Sequence, residues 1–199
     1  IKSLGRSVID EMVAERERNG RYKDLKDFMS RLSSKEINKR TLESLIKAGA
    51  LDSLGNTRKQ LMLVYARVLD EVNREKKENA IGQLSMFDFF TEEEKKQYQV
   101  QYPDVGEYDR ATRLAFEKEV MGIYVSGHPL EEYMDSMARQ VTAKSTDFEP
   151  DEDTGRSTAR DGQYYTVGGL VLDITVKLTK HSQNMAFVTL EDMYGTLER

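Results

Sequence analysis

Residues 38–55 read NKRTLESLIKAGALDSLG, and this stretch decides how the first part of the chain folds. Asn38 can cap a helix whose apolar face carries Leu42, Leu45 and Ile46, spaced at three and four residues. The glycines that follow predict a tight hairpin over residues 48–55. The stretch therefore predicts two helices that are joined by a glycine-containing hairpin.

A similar hairpin is predicted at the start of the chain. Residues 1–6 read IKSLGR and lead straight into an amphipathic helical pattern. The longest predicted helix begins at the capping box Thr57-x-x-Gln60 and runs to about residue 78. Residues 1–78 are therefore predicted to form a helical domain with two hairpins.

The helical pattern fails over residues 79–107, which read as a connector. Within it, residues 83–87 read QLSMF, an apolar segment with one leading amide. An extended peptide of this kind suits a binding groove on another protein. The alternative is that its side chains pack in the chain's own core, and the residues alone leave both interpretations open.

The remaining chain changes character twice. A helix resumes near Asp109 and can end at Gly122, and Pro129 suits the first position of a short helix. Residues 141–162 are small and acidic, which is typical of a mobile linker. The β-branched and aromatic residues after them predict two or three strands. The predicted domains after the connector are therefore a helical segment with an acidic linker, 108–162, and a strand region, 163–199.

The net charge of −5 hides an uneven distribution. Residues 1–80 carry 18 Lys and Arg against 13 Asp and Glu, whereas the remainder carries 12 against 22. A basic first part is compatible with phosphate contact, although ordinary mixed surface charge would also explain it.

Composition excludes several kinds of site. The 199 residues include no Cys, so disulfides, thiolate zinc sites and a cysteine nucleophile are ruled out. No apolar run reaches the roughly 20 residues that span a bilayer. The two histidines, His128 and His181, lie far apart, and no phosphate-binding loop or nucleophile elbow occurs. We therefore predict no metal site, no catalytic residue, no membrane partner and a cytoplasmic location.

Both predicted hairpins fit a helix-hairpin-helix pattern. Glycine lets the backbone approach a phosphate closely, and the following helix N-terminus presents N–H groups with partial positive charge. Such contacts read no bases. The alternative is that these glycines only end ordinary helices, which spacing alone does not exclude. The candidate DNA-contacting residues are Lys2, Ser3, Gly5 and Arg6 at the first hairpin, and Gly49, Ala50, Gly55, Asn56, Arg58 and Lys59 at the second.

Nearly the whole chain resembles the C-terminal region of the alpha subunit of bacterial DNA polymerase III. The resemblance is carried, in order, by residues 38–55, by QLSMF at 83–87 and by EKEVMGIYVSGHPL at 117–130. Residues 185–192 resemble an opening strand of an OB-fold. The implied fold is mainly α, with tandem helix-hairpin-helix units followed by the first strands of a β OB-fold, in an α+β multidomain fragment. The order of the motifs resembles the DnaE type.

This resemblance implies a replicative polymerase whose parent chain catalyses DNA-templated nucleotidyl transfer. The hairpins would hold duplex DNA, other replisome subunits would be partners, and a sliding clamp would bind Gln83, Leu84, Ser85, Met86 and Phe87. Met86 stands where Leu is more usual, which conserves volume. The catalytic carboxylates and their Mg ions would belong to a palm domain outside this chain, so the fragment is expected to hold no cofactor and to be inactive.

Two departures from the family pattern narrow these expectations. Ser3 stands where such a hairpin often has its first Gly, which makes the second hairpin the stronger candidate for DNA contact. The roughly 36 residues after Gln163 are too few for the five strands of an OB-fold. Its single-strand-binding surface is therefore represented only by the weak candidates Lys177, Lys180 and Phe187.

Two other functions remain open on the residues alone. A free-standing helix-hairpin-helix module of a repair nuclease or ligase would explain the hairpins but leave residues 83–87 unexplained. A purely structural connector would use the hairpins as cap turns and the apolar segment as core. Binding of clamp and of DNA would discriminate among the three.

Overall fold

A computed structural model describes residues 1–32, 37–80, 100–151 and 154–198. The chain forms two compact units, residues 1–125 and residues 126–199. The first unit is helical and the second contains a small sheet. This order confirms the predicted fold class, in which helices are followed by the first strands of a β structure.

Within residues 1–32, 37–80 and 100–125, the described part of the first unit, there are five α-helices. They are α1 Arg6–Asn19, α2 Leu25–Arg31, α3 Lys39–Lys47, α4 Arg58–Ala80 and α5 Arg110–Met121, with a 3₁₀ turn at Asp52–Leu54 between α3 and α4.

Side chains placed three residues ahead of a helical N–H fix where several of these helices begin. Asn38 accepts from Thr41 N–H at 3.0 Å, and Asp109 accepts from Thr112 N–H at 2.7 Å. Thr57 and Gln60 form the predicted reciprocal box at 3.0 and 3.1 Å. The predicted caps are confirmed because each depends on a contact within one helical turn.

One apolar core lies between α2, α3 and α4. Leu25, Leu42, Ile46, Leu61 and Val68 are each fully buried. Burying side chains of this kind contributes about 1.5 to 3 kcal/mol each before ordering costs. The rest of the core includes Val8, Phe28, Met29, Leu32, Ile37, Leu45, Leu51, Val64, Leu69 and Val72.

Residues 100–108, which we call the strap, run back along the first half of α4. Arg67 donates to Gln101 O at 3.4 Å, and Gln60 donates to Pro103 O at 3.0 Å. Val100 and Tyr102 pack on the core from the strap. The strap therefore brings Glu107, at its far end, to the N-terminus of α4.

The second unit begins with two short helical segments, a 3₁₀ helix at Pro129–Tyr133 and α6 at Met134–Gln140. Pro129 occupies the predicted first helical position, after the cap His128. A further 3₁₀ turn covers Ser145–Phe148.

The sheet has three antiparallel strands in the order β1-β2-β3. They are β1 Leu170–Leu178, β2 Asn184–Glu191 and β3 Thr196–Glu198, and β1 has an irregular register between Val171 and Asp173.

Part of the predicted acidic linker is packed instead. Ser145 is buried, and both its N–H and its hydroxyl donate to the carboxylate of Asp192 at 2.7 Å. Asp192 also accepts from the N–H groups of Tyr194 and Gly195. Composition alone missed this attachment because its partner lies 47 residues away.

Within the described ranges, no helix has the length and hydropathy needed to cross a membrane.

Candidate nucleic-acid interface

The first hairpin, residues 1–6, is exposed and has a special backbone. Ser3 adopts φ 63°, the left-handed conformation that such hairpins usually assign to glycine. Gly5 follows as the N-cap of α1, in extended conformation. Lys2, Ser3, Gly5 and Arg6 are all exposed, so the structure brings the four candidate residues together on one accessible turn.

The N-terminus of α1 lacks the chemistry that would neutralise it. Gly5 has no side chain to accept from the first-turn N–H groups, and the first turn contains no acidic residue. A helix N-terminus carries about half a positive elementary charge, which favours an anion there. The Arg6 side chain is 89% exposed and lies 3.5 Å from Asp10. This end of α1 can therefore accept a phosphate beside two exposed cations.

The first hairpin is fixed from beneath by its own backbone. Lys2 N–H donates to Val120 O of α5 at 2.7 Å, and the Thr41 hydroxyl donates to Ser3 O at 3.4 Å. Leu4 packs against the core of the first unit. These contacts use the inner side of the turn and leave the Lys2 and Arg6 side chains outside.

The second hairpin, residues 48–55, is built around Gly49. Its φ is 74°, and a Cβ there would lie 2.7 Å from Arg58 Cζ and 2.9 Å from Asp52 Oδ2. The glycine is therefore required both by backbone conformation and by the close approach of a guanidinium. Gly55 has φ 85° and ends the 3₁₀ turn, with open space where a Cβ would stand.

Arg58 is buried, with a side chain only 5% exposed. Its guanidinium lies 2.9 Å from Asp52 and 3.0 Å from Glu117, and it also donates to Lys47 O at 3.3 Å. Burial by itself would lower the pKa of Arg58, but hydrogen bonds to the two carboxylates outweigh it, so the pKa is raised. This geometry argues against the prediction that Arg58 donates to a DNA phosphate, because its buried guanidinium donates to Asp52, Glu117 and the Lys47 carbonyl.

The N-terminus of α4 already holds a carboxylate. Glu107 accepts from Arg58 N–H at 2.8 Å and from Lys59 N–H at 3.2 Å. Partial burial raises the pKa of Glu107, but hydrogen bonds from the N–H groups of Arg58, Tyr108 and Lys59 lower it further, and the pKa is lowered overall. An anion at this helix end would have to displace the strap carboxylate.

The other candidates at the second hairpin are less accessible than those at the first. Asn56 and Lys59 are half-buried, and the Lys59 ammonium lies 5.8 Å from the centre of the Tyr108 ring. Ala50 is exposed but contributes only backbone. The structure therefore favours the first hairpin, against the sequence-based preference for the second.

The two glutamates at this site were not identified from the sequence. Glu117 pairs with the Arg58 guanidinium, and Glu107 accepts hydrogen bonds at the N-terminus of α4. Glu117 is 1% exposed and lies on the buried face of α5 with Leu114 and Val120. A carboxylate at three-residue spacing within an apolar face is a usable sequence signal for a buried ion pair. Glu107 offers no such signal, because its partners are the N–H groups of Arg58 and Lys59 at the start of α4, 49 and 48 residues away in sequence.

The remaining candidates belong to other parts of the chain. Gln83, Leu84, Ser85, Met86 and Phe87 lie outside the described residues. In the second unit, Lys177 and Phe187 come from paired strands and lie 5.1 Å apart, ammonium to ring centre. Lys180 lies in the turn that follows β1. Within the described ranges, no group of three or more acidic, His or Cys side chains is arranged to hold a metal ion.

Known proteins contain sequences similar to this chain, and one family model agrees with the observed hairpins. Residues 1–61 match a family model described as a helix-hairpin-helix motif. The DNA polymerase III subunit alpha of Vibrio cholerae serotype O1 is 34% identical over 198 residues, and that of Borreliella burgdorferi is 35% identical over 202. The Escherichia coli K12 protein of the same name is 32% identical over 199 residues.

The chain is similar to DNA polymerase III alpha subunits along its whole length. All three matches cover 100% of the chain, which confirms the resemblance carried by its motifs. The chain spans only 16% to 17% of the length of these relatives. The helix-hairpin-helix match includes the first hairpin, α1, α2, α3 and the start of α4.

Proposed function

We propose that residues 1–125 bind the backbone of duplex DNA without reading its sequence, as part of a DNA-directed DNA polymerase. The observation that carries the proposal is the first hairpin, where Ser3 adopts φ 63° and leads into an uncapped, unneutralised helix N-terminus. Lys2 and Arg6 add two exposed cations beside those N–H groups. Phosphate is the ligand that this combination of donors and charge suits.

Relationship to the polymerase alpha subunits supplies the wider setting of the proposal. Polymerisation itself, with Mg ions held by carboxylates, would be performed by other parts of a longer protein. The role of the present residues would be to hold the duplex and so to lengthen each binding event.

A salt titration of duplex binding tests the proposal. Each phosphate contact contributes about 0.9 to the slope of log affinity against log salt concentration. We expect the double variant Lys2→Ala, Arg6→Ala to lose about one to two units of slope and to weaken binding equally for unrelated sequences. Fluorescence anisotropy with two labelled duplexes of different sequence provides the measurement.

The matched control is Arg74→Ala, Lys77→Ala at the far end of α4. Like the test variant, it removes one arginine and one lysine. Arg74 has an exposed partner, Glu78, at 3.9 Å, much as Arg6 has Asp10. The control should retain the wild-type slope. Equal losses in both double variants would show a general charge effect and would remove the first hairpin from the proposal.

We also propose that residues 83–87 tether the parent polymerase to a sliding clamp. Support comes from the sequence pattern, an amide followed by apolar anchors, and from the relationship to polymerase alpha subunits. The double variant Gln83→Ala, Phe87→Ala should lose clamp binding in surface plasmon resonance. Unchanged binding would contradict the tether, and the salt titration above would be unaffected by that result.

Single-stranded DNA is proposed as a weaker ligand of the second unit. Lys177 and Phe187 supply a cation and a stacking surface next to each other, as in a strand-binding sheet. Lys177→Ala together with Phe187→Ala should reduce binding of labelled single strands and leave duplex binding unchanged. A loss of both activities would contradict separate sites.

A further inference from the structure

We infer that Arg58 and Glu117 are positioning residues for the first hairpin, acting through α5. The inference rests on the proposed function, since it concerns how the DNA-contacting turn is held. It reassigns Arg58 from direct phosphate contact to support of a turn more than fifty residues away in sequence. Three consecutive links carry it.

The first link joins the second hairpin to α5. Arg58 Nη1 donates to Glu117 Oε1 at 3.0 Å, and the two side chains are 5% and 1% exposed. The other carboxylate oxygen of Glu117 accepts Val125 N–H at 2.8 Å. Because both oxygens of a buried carboxylate are held by separate donors, the rotation and depth of α5 against the second hairpin are defined.

The second link joins α5 to the first hairpin. Val120 lies three residues after Glu117, about 4.5 Å further along the helix axis. Its carbonyl accepts Lys2 N–H at 2.7 Å. A displacement of Glu117 along or around the axis would therefore be transmitted almost unchanged to the residue that begins the DNA-contacting turn.

The third link consists of the contacts that fix the position of the Arg58 guanidinium within the second hairpin. Asp52 holds the guanidinium from the hairpin side at 2.9 Å, and Gly49 leaves the space that the guanidinium fills. Planar donors in a fixed fork are what allow one side chain to bind two carboxylates and the Lys47 carbonyl together. Lysine would keep the charge and lose this geometry.

A parallel connection exists but is weaker. Lys47 lies 3.0 Å from Glu119, whose side chain is 53% exposed, and the Thr41 contact to Ser3 is long at 3.4 Å. Exposed ion pairs define position poorly because water competes for both partners. This difference supplies a matched control on the same helix, since Glu117 and Glu119 are two residues apart.

The test compares Glu117→Gln with Glu119→Gln in the 199-residue chain. Amide hydrogen exchange is measured at Lys2 and, as an internal reference, at Leu45 in α3. We expect Glu117→Gln to reduce protection at Lys2 by about tenfold while Leu45 stays protected, and Glu119→Gln to leave both unchanged within about twofold. The salt slope of duplex binding should fall for Glu117→Gln alone.

Arg58→Lys provides a second variant if Glu117→Gln lowers protection at Leu45 as well. It keeps the positive charge but not the fork, so Lys2 protection and the salt slope should both fall while Leu45 remains protected. Unchanged Lys2 protection in both variants would overturn the inference. A wild-type chain that binds no duplex would refute the proposed function, whereas the exchange at Lys2 would still decide whether Arg58 and Glu117 position the hairpin.

Discussion

Removal of Arg58 should destabilise the first unit far more than removal of an exposed arginine. The Arg58→Ala variant removes the guanidinium that lies 3.0 Å from the Glu117 carboxylate and leaves that carboxylate, 1% exposed, inside the protein without its cation. Breaking a buried ion pair by deleting one partner costs about 3 to 5 kcal/mol. Asp52 is half-exposed, so the loss of its pairing adds little to that figure.

Urea unfolding followed by circular dichroism at 222 nm measures the change. A typical urea slope of about 1 to 3 kcal/mol per M converts the expected loss into a midpoint lower by roughly 2 M. Arg6→Ala is the control, because its side chain is 89% exposed, and its midpoint should barely move. Both variants remove an arginine side chain, which is buried at position 58 and exposed at position 6.

A double replacement distinguishes two contributions to the lost stability: the loss of the ion pair itself, and the cost of a buried carboxylate without its cation. Arg58→Met combined with Glu117→Met removes both charges from the buried site, and such exchanges are often neutral or stabilising relative to the ion pair. We expect the double variant to recover most of the stability that Arg58→Ala loses. A midpoint for Arg58→Ala equal to that of Arg6→Ala would refute the claim that Glu117 depends on Arg58.

Three further predictions concern single positions in the same unit. Gly49→Ala should cost about 1 to 3 kcal/mol in urea unfolding, because φ is 74° and the new Cβ would meet the Arg58 guanidinium; a neutral result would contradict the close approach. Ser3→Gly should raise the thermal midpoint modestly, by relieving about 1 kcal/mol of left-handed strain at φ 63°; a lower midpoint would contradict that backbone. The pKa of Glu107 is lowered from 4.5, so its ionised carboxylate stabilises the fold above that value and loses this contribution as pH falls through the folded pKa. Glu107→Gln should therefore lose less stability in acid unfolding curves than the wild type does. An unchanged acid limb would contradict the role of Glu107 at the N-terminus of α4.

The sequence was sufficient where structure depends on neighbouring residues. Asn38, the Thr57–Gln60 box and the helix end at Gly122 were all predicted, since a cap needs only residues within one turn. The strands of the second unit were predicted from β-branched composition for the same reason.

The fate of Arg58 was not predictable in this way. An arginine beside a glycine hairpin is as consistent with phosphate contact as with a buried pair, and its partner Glu117 lies 59 residues away. Ser3 misled in the opposite direction, because a serine in place of glycine indicates a weaker hairpin, yet the backbone adopts φ 63° there. In both cases a long-range contact to α5 accompanies the outcome, from Arg58 to Glu117 and from Lys2 N–H to the Val120 carbonyl.

The most direct test of the account is to observe which backbone amides respond to DNA. Amide chemical shifts of the labelled 199-residue chain would be recorded during titration with a short duplex at low salt. The account predicts shifts at Arg6 and Ser7, at the open N-terminus of α1, and little change at Arg58 and Lys59, whose N–H groups are held by Glu107. Shifts confined to Arg58 and Lys59, with Arg6 and Ser7 unmoved, would contradict it.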